Sequence, residues 1–402
     1  MVKEGSKYNI PIAKPYFTGE EAELIADVMK SGWVCQGPMV ARFEQEVSRY
    51  TTAPYAVATS SCTTALHVAM LIHEIGPGHD VICPSYSFVA TANAIRHAGA
   101  VPQFVDIDPA TLNIDPAATE AFIEENYTAD LHHRKSGNEL KAILIVHQIG
   151  IPADIDTFAQ IARRHQLILL EDSACAIGST YKGKPIGSSG NVGAFSFHPR
   201  KVISCGEGGM LVMQDEALAE KARVFRAHGA SISDFARHKA GATLTESYNV
   251  VGYNYRMTDL QAAIGVKQLE LLDELVRRRV AVAARYNAAF AQLEEIELIK
   301  PPAYVSLWNY QSYPIRLRRG GAEQRNALMQ KLQEEGVSSR RGIPPIHKEP
   351  VYDSGVCLFN TESVSERSLF LPIFPALAED EVAHVIEAVQ RCLSGIPARA
   401  GV

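Results

Sequence analysis

The sequence predicts an α/β fold in which a mainly parallel sheet of seven strands forms a large domain and a smaller α+β domain follows. Seven short apolar runs lie between residues 55 and 213, and amphipathic segments of helical length separate most of them. Strands that alternate with helices are typical of a doubly wound sheet. The seven runs are 55–58, 80–83, 102–105, 142–147, 167–170, 193–197 and 210–213.

The composition is that of a globular protein without a basic surface. The chain has 402 residues, of which 47% are hydrophobic and 21% are charged, so it is long enough for two domains with a sizeable core. Its formal net charge is −6. Because nucleic-acid-binding proteins usually carry an excess of basic residues, the charge balance predicts no nucleic-acid partner.

The N-terminus and the cysteines predict a cytoplasmic protein with reduced thiols. The start of the chain has no apolar stretch like that of a secretion signal, and no run reaches the roughly 18 apolar residues of a membrane span. The seven cysteines are scattered, and none stands in a Cys-x-x-Cys pair. Neither a disulfide framework nor a zinc site is therefore expected.

The first fifty residues predict two helices joined by a loop. Thr18 and Glu21 have the spacing of a capping box, which predicts the start of the first helix. The segment 32–37 begins and ends with glycine and predicts a loop that contains Trp33. Apolar residues between positions 43 and 50 recur at helical spacing and predict the second helix.

A phosphate-binding helix start is predicted directly after the first strand of the sheet. The run 55–58 leads into a cluster of hydroxyl side chains, 60–64, which opens an apolar helix. The free N–H groups and the dipole at the start of a helix favour a bound phosphate. Ser61, Cys62 and Thr63 are the candidate residues.

An acidic pair and a lysine stand at strand ends further along the chain. Glu171 and Asp172 directly follow the run 167–170, and open α/β sheets bind ligands at the carboxyl ends of their strands. Lys201 lies between two strand-like runs, close to the Gly-Glu-Gly-Gly turn at 206–209.

These two residue types fit the needs of one cofactor. A lysine in a partly dry site can lose its proton and attack a carbonyl, which gives a Schiff base. Pyridoxal 5′-phosphate (PLP) needs such a lysine for its aldehyde and an acid that keeps its ring nitrogen protonated. Lys201 and Asp172 are the candidates. The pattern around Lys201 alone equally allows a surface lysine beside a tight turn.

No metal site is predicted. The polar segment 126–138 contains the neighbouring residues His132 and His133. Adjacent side chains point apart on both helices and strands, and no cluster of acids and histidines joins this pair. The segment is therefore expected to be a solvated loop.

A second domain is predicted to begin near residue 269. Thr258 and Gln261 have capping-box spacing and predict the start of a long helix that continues through Leu275. This helix is expected to carry the chain from a large domain, 1–268, into a small domain, 269–402. The small domain is expected to contain a strand at 309–316, a helix near 322–335 and a last helix at 378–393.

The motifs together resemble the sugar aminotransferase family of fold-type I PLP-dependent enzymes, the DegT/DnrJ/StrS type, which make amino sugars from nucleotide-linked keto-sugars. The resemblance covers nearly the whole chain, and four motifs in the family's order and spacing carry it. They are Ser-x-Thr-x-Ala-Leu at 61–66, Glu-Asp at 171–172, Ser-Phe-His-x-x-Lys with Gly-Glu-Gly-Gly at 196–209, and Gly-Tyr-Asn-Tyr-Arg-Met at 252–257.

The resemblance implies a complete PLP site. Lys201 would bind the cofactor covalently and move the proton in catalysis, and Asp172 would lie against the ring nitrogen. Phe88, in a segment that matches the family's stacking aromatic by position, would stack on the ring, with Tyr86 as the alternative. The implied phosphate-binding residues are Ser61, Cys62, Thr63, Ser196 and Asn254, the last supplied by the partner chain of a homodimer with shared active sites.

One cofactor-site residue departs from the family, and the substrate residues are matched only loosely. Cys175 stands where the family often has Gln or His in contact with the 3-hydroxyl of the cofactor. A thiol is a weak hydrogen-bonding group, so this contact is expected to be lost or made by water. The residues expected near the substrate are Trp33, Tyr86, Arg256 and His347.

The resemblance implies transfer of an amino group from L-glutamate to C3 or C4 of a nucleotide-linked keto-deoxy sugar. The product would serve amino-sugar, polysaccharide or glycosylated natural-product biosynthesis, with no nucleic acid, membrane or metal as partner. A cyclitol aminotransferase would carry the same motifs. A PLP-dependent sugar dehydratase is another alternative, although dedicated dehydratases of this fold replace the lysine with histidine. A non-catalytic PLP-binding protein is the alternative from another class.

Overall fold

A computed structural model describes residues 8–232, 245–353 and 355–394 of the chain. A seven-stranded sheet forms its centre, and its strands coincide with the seven predicted runs. The strands are β1 (Tyr55–Thr59), β2 (His79–Pro84), β3 (Val101–Val105), β4 (Glu139–Val146), β5 (Ile168–Asp172), β8 (Val192–Ser196) and β9 (Gly209–Met213). The order is β1-β9-β8-β5-β4-β2-β3. Because β9 alone opposes the other six strands, the prediction of a mainly parallel α/β sheet is confirmed.

Both faces of this sheet are buried, as expected for a doubly wound fold. Along β1, Ala56 and Ala58 belong to one hydrophobic core, whereas Val57 belongs to another. Side chains alternate between the faces of a strand, so these cores lie on opposite sides of the sheet. The helices that connect the strands are α3 (Cys62–Ile72), α4 (Ala90–His97), α5 (Pro116–Asn126), α6 (Ile155–Arg164) and α7 (Glu216–Arg226).

The two predicted N-terminal helices are α1 (Glu20–Ser31) and α2 (Pro38–Thr51). Only half of the capping box predicted at Thr18 is formed: the Glu21 carboxylate accepts a 3.1 Å hydrogen bond from the amide of Thr18. Gly19 is the residue before the first helical turn of α1, and it has no side chain to cap that turn. A distant residue caps α2. The buried Asp259 carboxylate accepts hydrogen bonds from the amides of Gly37 and Val40, at 2.8 and 2.9 Å. This contact holds the loop before α2 against the start of a much later helix.

The long helix predicted from Thr258 is two helices, α8 (Asp259–Glu270) and α9 (Leu272–Phe290), so that prediction was wrong in length. The Leu271 amide bonds to the carbonyl of Gln268, three residues back, at 3.2 Å. This tight turn ends α8, while the apolar spacing continues unbroken across it. The predicted capping box at Thr258 is confirmed, because its hydroxyl accepts a hydrogen bond from the Gln261 amide at 3.2 Å.

The C-terminal part of the chain forms a four-stranded sheet with helices against it. Its strands, in the order β10-β12-β14-β13, are β10 (Ile296–Leu298), β12 (Tyr313–Leu317), β13 (Arg340–Arg341) and β14 (Ser368–Leu371), and its helices are α10 (Ala322–Glu334), α11 (Phe359–Arg367) and α12 (Glu379–Ser394). A separate small sheet joins β6 (Thr180–Tyr181) and β7 (Lys184–Pro185) to β11 (Val305–Leu307).

Two of the hydrophobic cores contain residues from both sides of position 268. Ile10, in the N-terminal arm, packs in the core of the C-terminal sheet, and its amide donates to the carbonyl of Gly336 at 2.8 Å. The first turn of α9 packs with the central sheet, while Tyr286 and Phe290 at its end belong to the C-terminal core. The domains 1–268 and 269–402 stay a prediction.

In the parts of the chain described above, no helix combines the length and apolar character needed to cross a membrane.

Candidate active site

The sequence-predicted residues gather at one edge of the central sheet. Strands β1, β2, β5 and β8 point the same way, so their carboxyl ends meet at this edge, where α/β sheets bind ligands. Ser61 follows β1, Phe88 follows β2, Asp172 ends β5 and Ser196 ends β8. Lys201 lies in the connection from β8 to β9 at the same edge.

Lys201 is half-buried beside a thiol. Its amide donates to the carbonyl of His198 at 2.8 Å, which closes a tight turn. Its ammonium nitrogen, Nζ, lies 3.1 Å from Sγ of Cys175. Burial lowers the pKa of Lys201, but Cys175, Cys62 and Asp172 raise it, and the net shift is upward. The free side chain is therefore an ammonium group at neutral pH.

Asp172 is buried, with 5% of its surface exposed, and two donors hold its carboxylate. The hydroxyl of Thr91 donates to Oδ2 at 2.8 Å, and the amide of Ala174 donates to Oδ1 at 3.1 Å. Ser87 Oγ lies 2.8 Å from the Thr91 hydroxyl. Neither Thr91 nor Ser87 was predicted. Both could have been identified as candidate site residues from their position in the polar segment after β2, at the same sheet edge as Asp172.

The neighbouring acid, Glu171, turns away from Asp172 into a buried structural network. His147 Nδ1 accepts a hydrogen bond from the amide of Ala153 at 3.0 Å, so its other nitrogen, Nε2, carries the hydrogen and donates to Glu171 at 2.9 Å. Asn191 also donates to Glu171, at 2.7 Å. Burial raises the pKa of Glu171, but these hydrogen bonds lower it further than burial raises it. Glu171 is therefore a charged residue that fixes the end of β5.

The start of α3 has the form expected of a phosphate site. Ser61 Oγ accepts the amide of Thr64 at 3.2 Å, while the Thr64 hydroxyl accepts the amide of Ser61 at 3.1 Å. This reciprocal cap leaves the first-turn amides of Cys62 and Thr63 without acceptors inside the helix. A Cβ atom on Gly209 would lie 2.7 Å from the nitrogen of Cys62. Only glycine at this position lets β9 approach the helix start.

The two aromatic candidates after β2 lie in opposite environments. Phe88 is 72% exposed, whereas Tyr86 is 1% exposed. Burial raises the pKa of Tyr86 to about 12, and its carbonyl accepts a hydrogen bond from the side chain of Gln148. Phe88 is therefore accessible for stacking, while Tyr86 forms part of the core. Their roles toward cofactor and substrate stay predictions.

Asn254 and Arg256 flank Tyr255, whose carbonyl accepts a hydrogen bond from the amide of Ser60, directly after β1, at 2.8 Å. Asn254 is exposed and forms an antiparallel bridge with Ala227. Arg256 Nη2 lies 3.3 Å from His228 Nε2, and Trp33 Nε1 donates to the carbonyl of Gln36 at 3.0 Å. Within one chain these contacts do not join them to Lys201. Their predicted roles depend on a partner chain or a substrate.

His347 is a buried link between the C-terminal part and the central sheet. It is 1% exposed, its Nδ1 lies 2.6 Å from Ser85 Oγ, and its Nε2 lies 3.1 Å from Glu362 Oε1. Both ring nitrogens are therefore occupied by protein groups. Its predicted contact with the substrate stays a prediction.

Asn309 is a further residue that sequence reasoning missed. It is fully buried, and its side-chain amide donates to the carbonyls of Cys175 and Ile177, each at 2.8 Å. The loop after Asp172 is thus fixed from the C-terminal part of the chain.

Among residues 8–232, 245–353 and 355–394, no group of three or more His, Cys, Asp or Glu side chains could hold a metal ion.

Comparison with known proteins agrees with this arrangement. Residues 15–390 match the family profile described as the DegT/DnrJ/EryC1/StrS aminotransferase family. The spore coat polysaccharide biosynthesis protein SpsC of Bacillus subtilis is 35% identical over 403 residues, which cover 98% of this chain and 100% of that protein.

Solved structures share the fold over nearly the whole chain. The aminotransferase TlmJ from Streptoalloteichus hindustanus has a TM-score of 0.86 at 31% identity, covering 96% of this chain and 100% of that chain. The sugar aminotransferase Spr1654 from Streptococcus pneumoniae, whose function is described as putative, has a TM-score of 0.88 at 27% identity, covering 97% of this chain and 100% of that chain, in its PMP form. Its PLP form has also been solved, with a TM-score of 0.87 at 26% identity, covering 97% of this chain and 100% of that chain.

Proposed function

The chain belongs to the DegT/DnrJ/EryC1/StrS aminotransferase family, and from this membership we propose that it moves an amino group from L-glutamate to a nucleotide-linked keto-deoxy sugar. It is a sugar aminotransferase, and PLP is its cofactor. The amino donor, the nucleotide and the choice of C3 or C4 as the aminated carbon belong to the proposal. The similarity to SpsC, a polysaccharide biosynthesis protein, supports a product used in glycan assembly.

The residues at the sheet edge fit PLP. Asp172 has a buried carboxylate that accepts two hydrogen bonds, from Thr91 and Ala174, and such a group can face the ring nitrogen of PLP. Lys201 supplies an amine in the same half-buried cluster. The start of α3 supplies unpaired amides for a phosphate. When bound, PLP withdraws electrons from the reacting carbon and carries the amino group between the two substrates.

Lys201 and Asp172 carry the proposed chemistry. Lys201 binds the cofactor in the resting enzyme. With PLP bound, its Nζ would remove the proton from the donor's α-carbon and later give it back, as general base and then general acid. Asp172 holds the proton on the ring nitrogen, because its negative charge favours the protonated ring.

The remaining cofactor residues hold and orient the group. We assign the cofactor phosphate to Ser61, Cys62, Thr63 and Ser196, which stand after the end of β1 or at the end of β8. We assign Asn254 of the partner chain to the same phosphate, because this side chain is exposed in the single chain. Phe88 stacks on the ring, since it is the accessible aromatic residue after β2. The proposal thus includes a homodimer in which each site uses residues of both chains.

The observation that carries the proposal is the cluster of Lys201, Asp172 and the start of α3 at one sheet edge. The test is an absorption spectrum of the purified protein with PLP, before and after addition of L-glutamate. A visible band that fades as the amino form of the cofactor appears means that glutamate is the donor. Candidate keto-sugars are then screened for return of the band. A band that glutamate leaves unchanged rejects glutamate as donor, and absence of any band rejects the role of Lys201.

A further inference from the structure

Lys201 meets the thiol of Cys175, the third residue after Asp172. Cys175 Sγ lies 3.1 Å from Lys201 Nζ, within hydrogen-bond distance for a sulfur acceptor. A cysteine side chain ends one atom beyond Cβ, so it reaches only its immediate neighbour. In this chain that neighbour is the lysine nitrogen.

The backbone holds the thiol in this place. The carbonyl of Cys175 accepts a hydrogen bond from the buried side chain of Asn309 at 2.8 Å, and the amide of the next residue, Ala176, donates to the carbonyl of Ser173 at 2.9 Å. Both polar atoms of the peptide group that follows Cys175 are thereby held. Its contact with Lys201 follows from the shape of the loop after Asp172.

The other ionisable groups that face Lys201 are Cys62, Asp172 and His198. Cys62 is buried, which raises the pKa of its thiol and keeps it neutral. Both Asp172 oxygens already accept hydrogen bonds from the protein. Burial lowers the pKa of His198, so the imidazole is neutral at pH 7. Among the described residues, Cys175 is thus the group in hydrogen-bond contact with Nζ.

We propose that Cys175 is a positioning residue for Lys201: it accepts a hydrogen bond from Nζ, stabilises the protonated form of that nitrogen and holds it toward the reacting carbon. This inference rests on the proposed function, because it assigns a task to Nζ within the transamination site. It differs from a cofactor-holding role for Cys175, since the partner is the lysine and not the cofactor ring.

The test is a pH titration of the visible band of the holoenzyme, which responds to protonation of the Lys201 nitrogen. We compare the wild type with Cys175→Ala, Cys175→Ser and the control Cys357→Ala, which removes an exposed thiol elsewhere. Because a sulfur atom is a weak hydrogen-bond acceptor, loss of this bond should move the midpoint of Cys175→Ala to lower pH by about half a unit to one unit. The hydroxyl of Cys175→Ser should restore part of the shift, and Cys357→Ala should titrate like the wild type.

PLP affinity, measured by equilibrium dialysis of the apoprotein, separates the two roles. We expect the affinity of Cys175→Ala to stay within about threefold of the wild type, because the thiol contacts the lysine. An unshifted midpoint together with a large loss of PLP affinity would overturn the inference and give Cys175 a cofactor-holding role. If Cys175→Ala does not fold, an unshifted midpoint in Cys175→Ser rejects the inference. A wild type without any visible band rejects the proposed function itself.

Discussion

Thr91 donates a hydrogen bond of 2.8 Å to Oδ2 of Asp172, a residue 81 positions further along the chain. Because the hydroxyl hydrogen of Thr91 is used in this bond, the hydrogen between Ser87 and Thr91 comes from Ser87. Three buried side chains thus form a directed chain of hydrogen bonds that ends on the acid. A hydrogen bond donated to a carboxylate favours its charged form, which is the form that the proposed ring contact needs.

Replacement of Thr91 by valine should slow the glutamate half-reaction about tenfold, because a hydrogen bond to a charged group contributes about 1.5–3 kcal/mol. Thr91→Ser keeps the hydroxyl and should stay close to the wild type. Stopped-flow absorbance with L-glutamate measures both rates. Equal losses in the two variants would mean that the methyl group, not the hydroxyl, matters.

Lys201→Ala should lose the visible cofactor band and at least about a hundredfold in turnover, since it removes both the covalent attachment and the proton-transfer group. Asp172→Asn should retain most PLP binding but lose activity, because an amide cannot stabilise the ring proton by charge. Absorbance and dialysis separate the two effects. If the Lys201→Ala protein kept its visible band, Lys201 would not be the residue that binds the cofactor covalently.

The variants Lys201→Ala and Asn254→Ala should complement each other in mixed dimers and recover activity if each active site uses residues of both chains. In a mixed dimer of Lys201→Ala and Asn254→Ala chains, the site built on the Asn254→Ala chain has its own Lys201 and receives an intact Asn254 from the partner chain. Random mixing makes half of the dimers mixed, each with one good site, so about a quarter of the wild-type activity should return. The mixture is made by refolding the two variants together. A mixture no more active than its separate components argues against a shared phosphate site.

Gly209→Ala should weaken PLP binding by at least about tenfold. The new methyl group would meet the backbone at Ser61 and Cys62, and backbone cannot rotate aside as a side chain can, so the start of α3 would have to shift. Equilibrium dialysis gives the PLP affinity. Gly76→Ala is the matched control, because its nearest neighbour, the carbonyl of Ala98, would lie at 3.4 Å. If Gly209→Ala bound PLP as tightly as the wild type, the close approach of β9 to the start of α3 would not be needed for cofactor binding.

Stability should fall on acidification below about pH 6.5 because of His67, a residue of α3 that is 2% exposed. Burial, and then the nearby His97, lower the pKa of His67 to about 4. Between its usual value of 6.5 and about 4, the unfolded chain takes up a proton that the folded chain does not. Folding therefore loses about 3 kcal/mol across this interval, and the loss is absent above it.

Urea unfolding of the full chain at about pH 7 and about pH 4.5 measures this difference. His67→Phe keeps an aromatic ring beside Tyr253 and Tyr255 but cannot be protonated. Its unfolding free energy should change less between the two pH values than that of the wild type. The same change in both proteins would place the acid sensitivity in other residues.

The sequence was sufficient for the features that depend on local pattern. Strands and helices repeat every 2 or 3.6 residues, so apolar spacing located all seven strands of the central sheet. Asp172 could be chosen because it stands at the end of a strand-like run, and Lys201 because it lies between two such runs beside a glycine-rich turn. The capping box at Thr258 could be predicted for the same reason, since its partner Gln261 lies three residues away.

The features that were missed depend on contacts between distant residues or on a local choice of hydrogen bond. Thr91 meets Asp172, and Ser85 meets His347, only after folding, and a single sequence contains no record of such pairs. The break at Leu271 was invisible because Leu269, Leu272 and Leu275 continue the helical spacing across it. That spacing does not indicate that the Leu271 amide bonds to the carbonyl three residues back instead of four.

The hydrogen bonds from Asn309 also determine the order in which parts of the protein can fold during synthesis. Asn309 follows Cys175 by 134 residues, and chains are synthesised from the N-terminus. While the ribosome is still adding residues before 309, a nascent chain can already contain all seven strands of the central sheet, yet the loop beside Lys201 lacks the side chain that fixes it. The cofactor site is therefore finished late in translation, after the sheet that carries it.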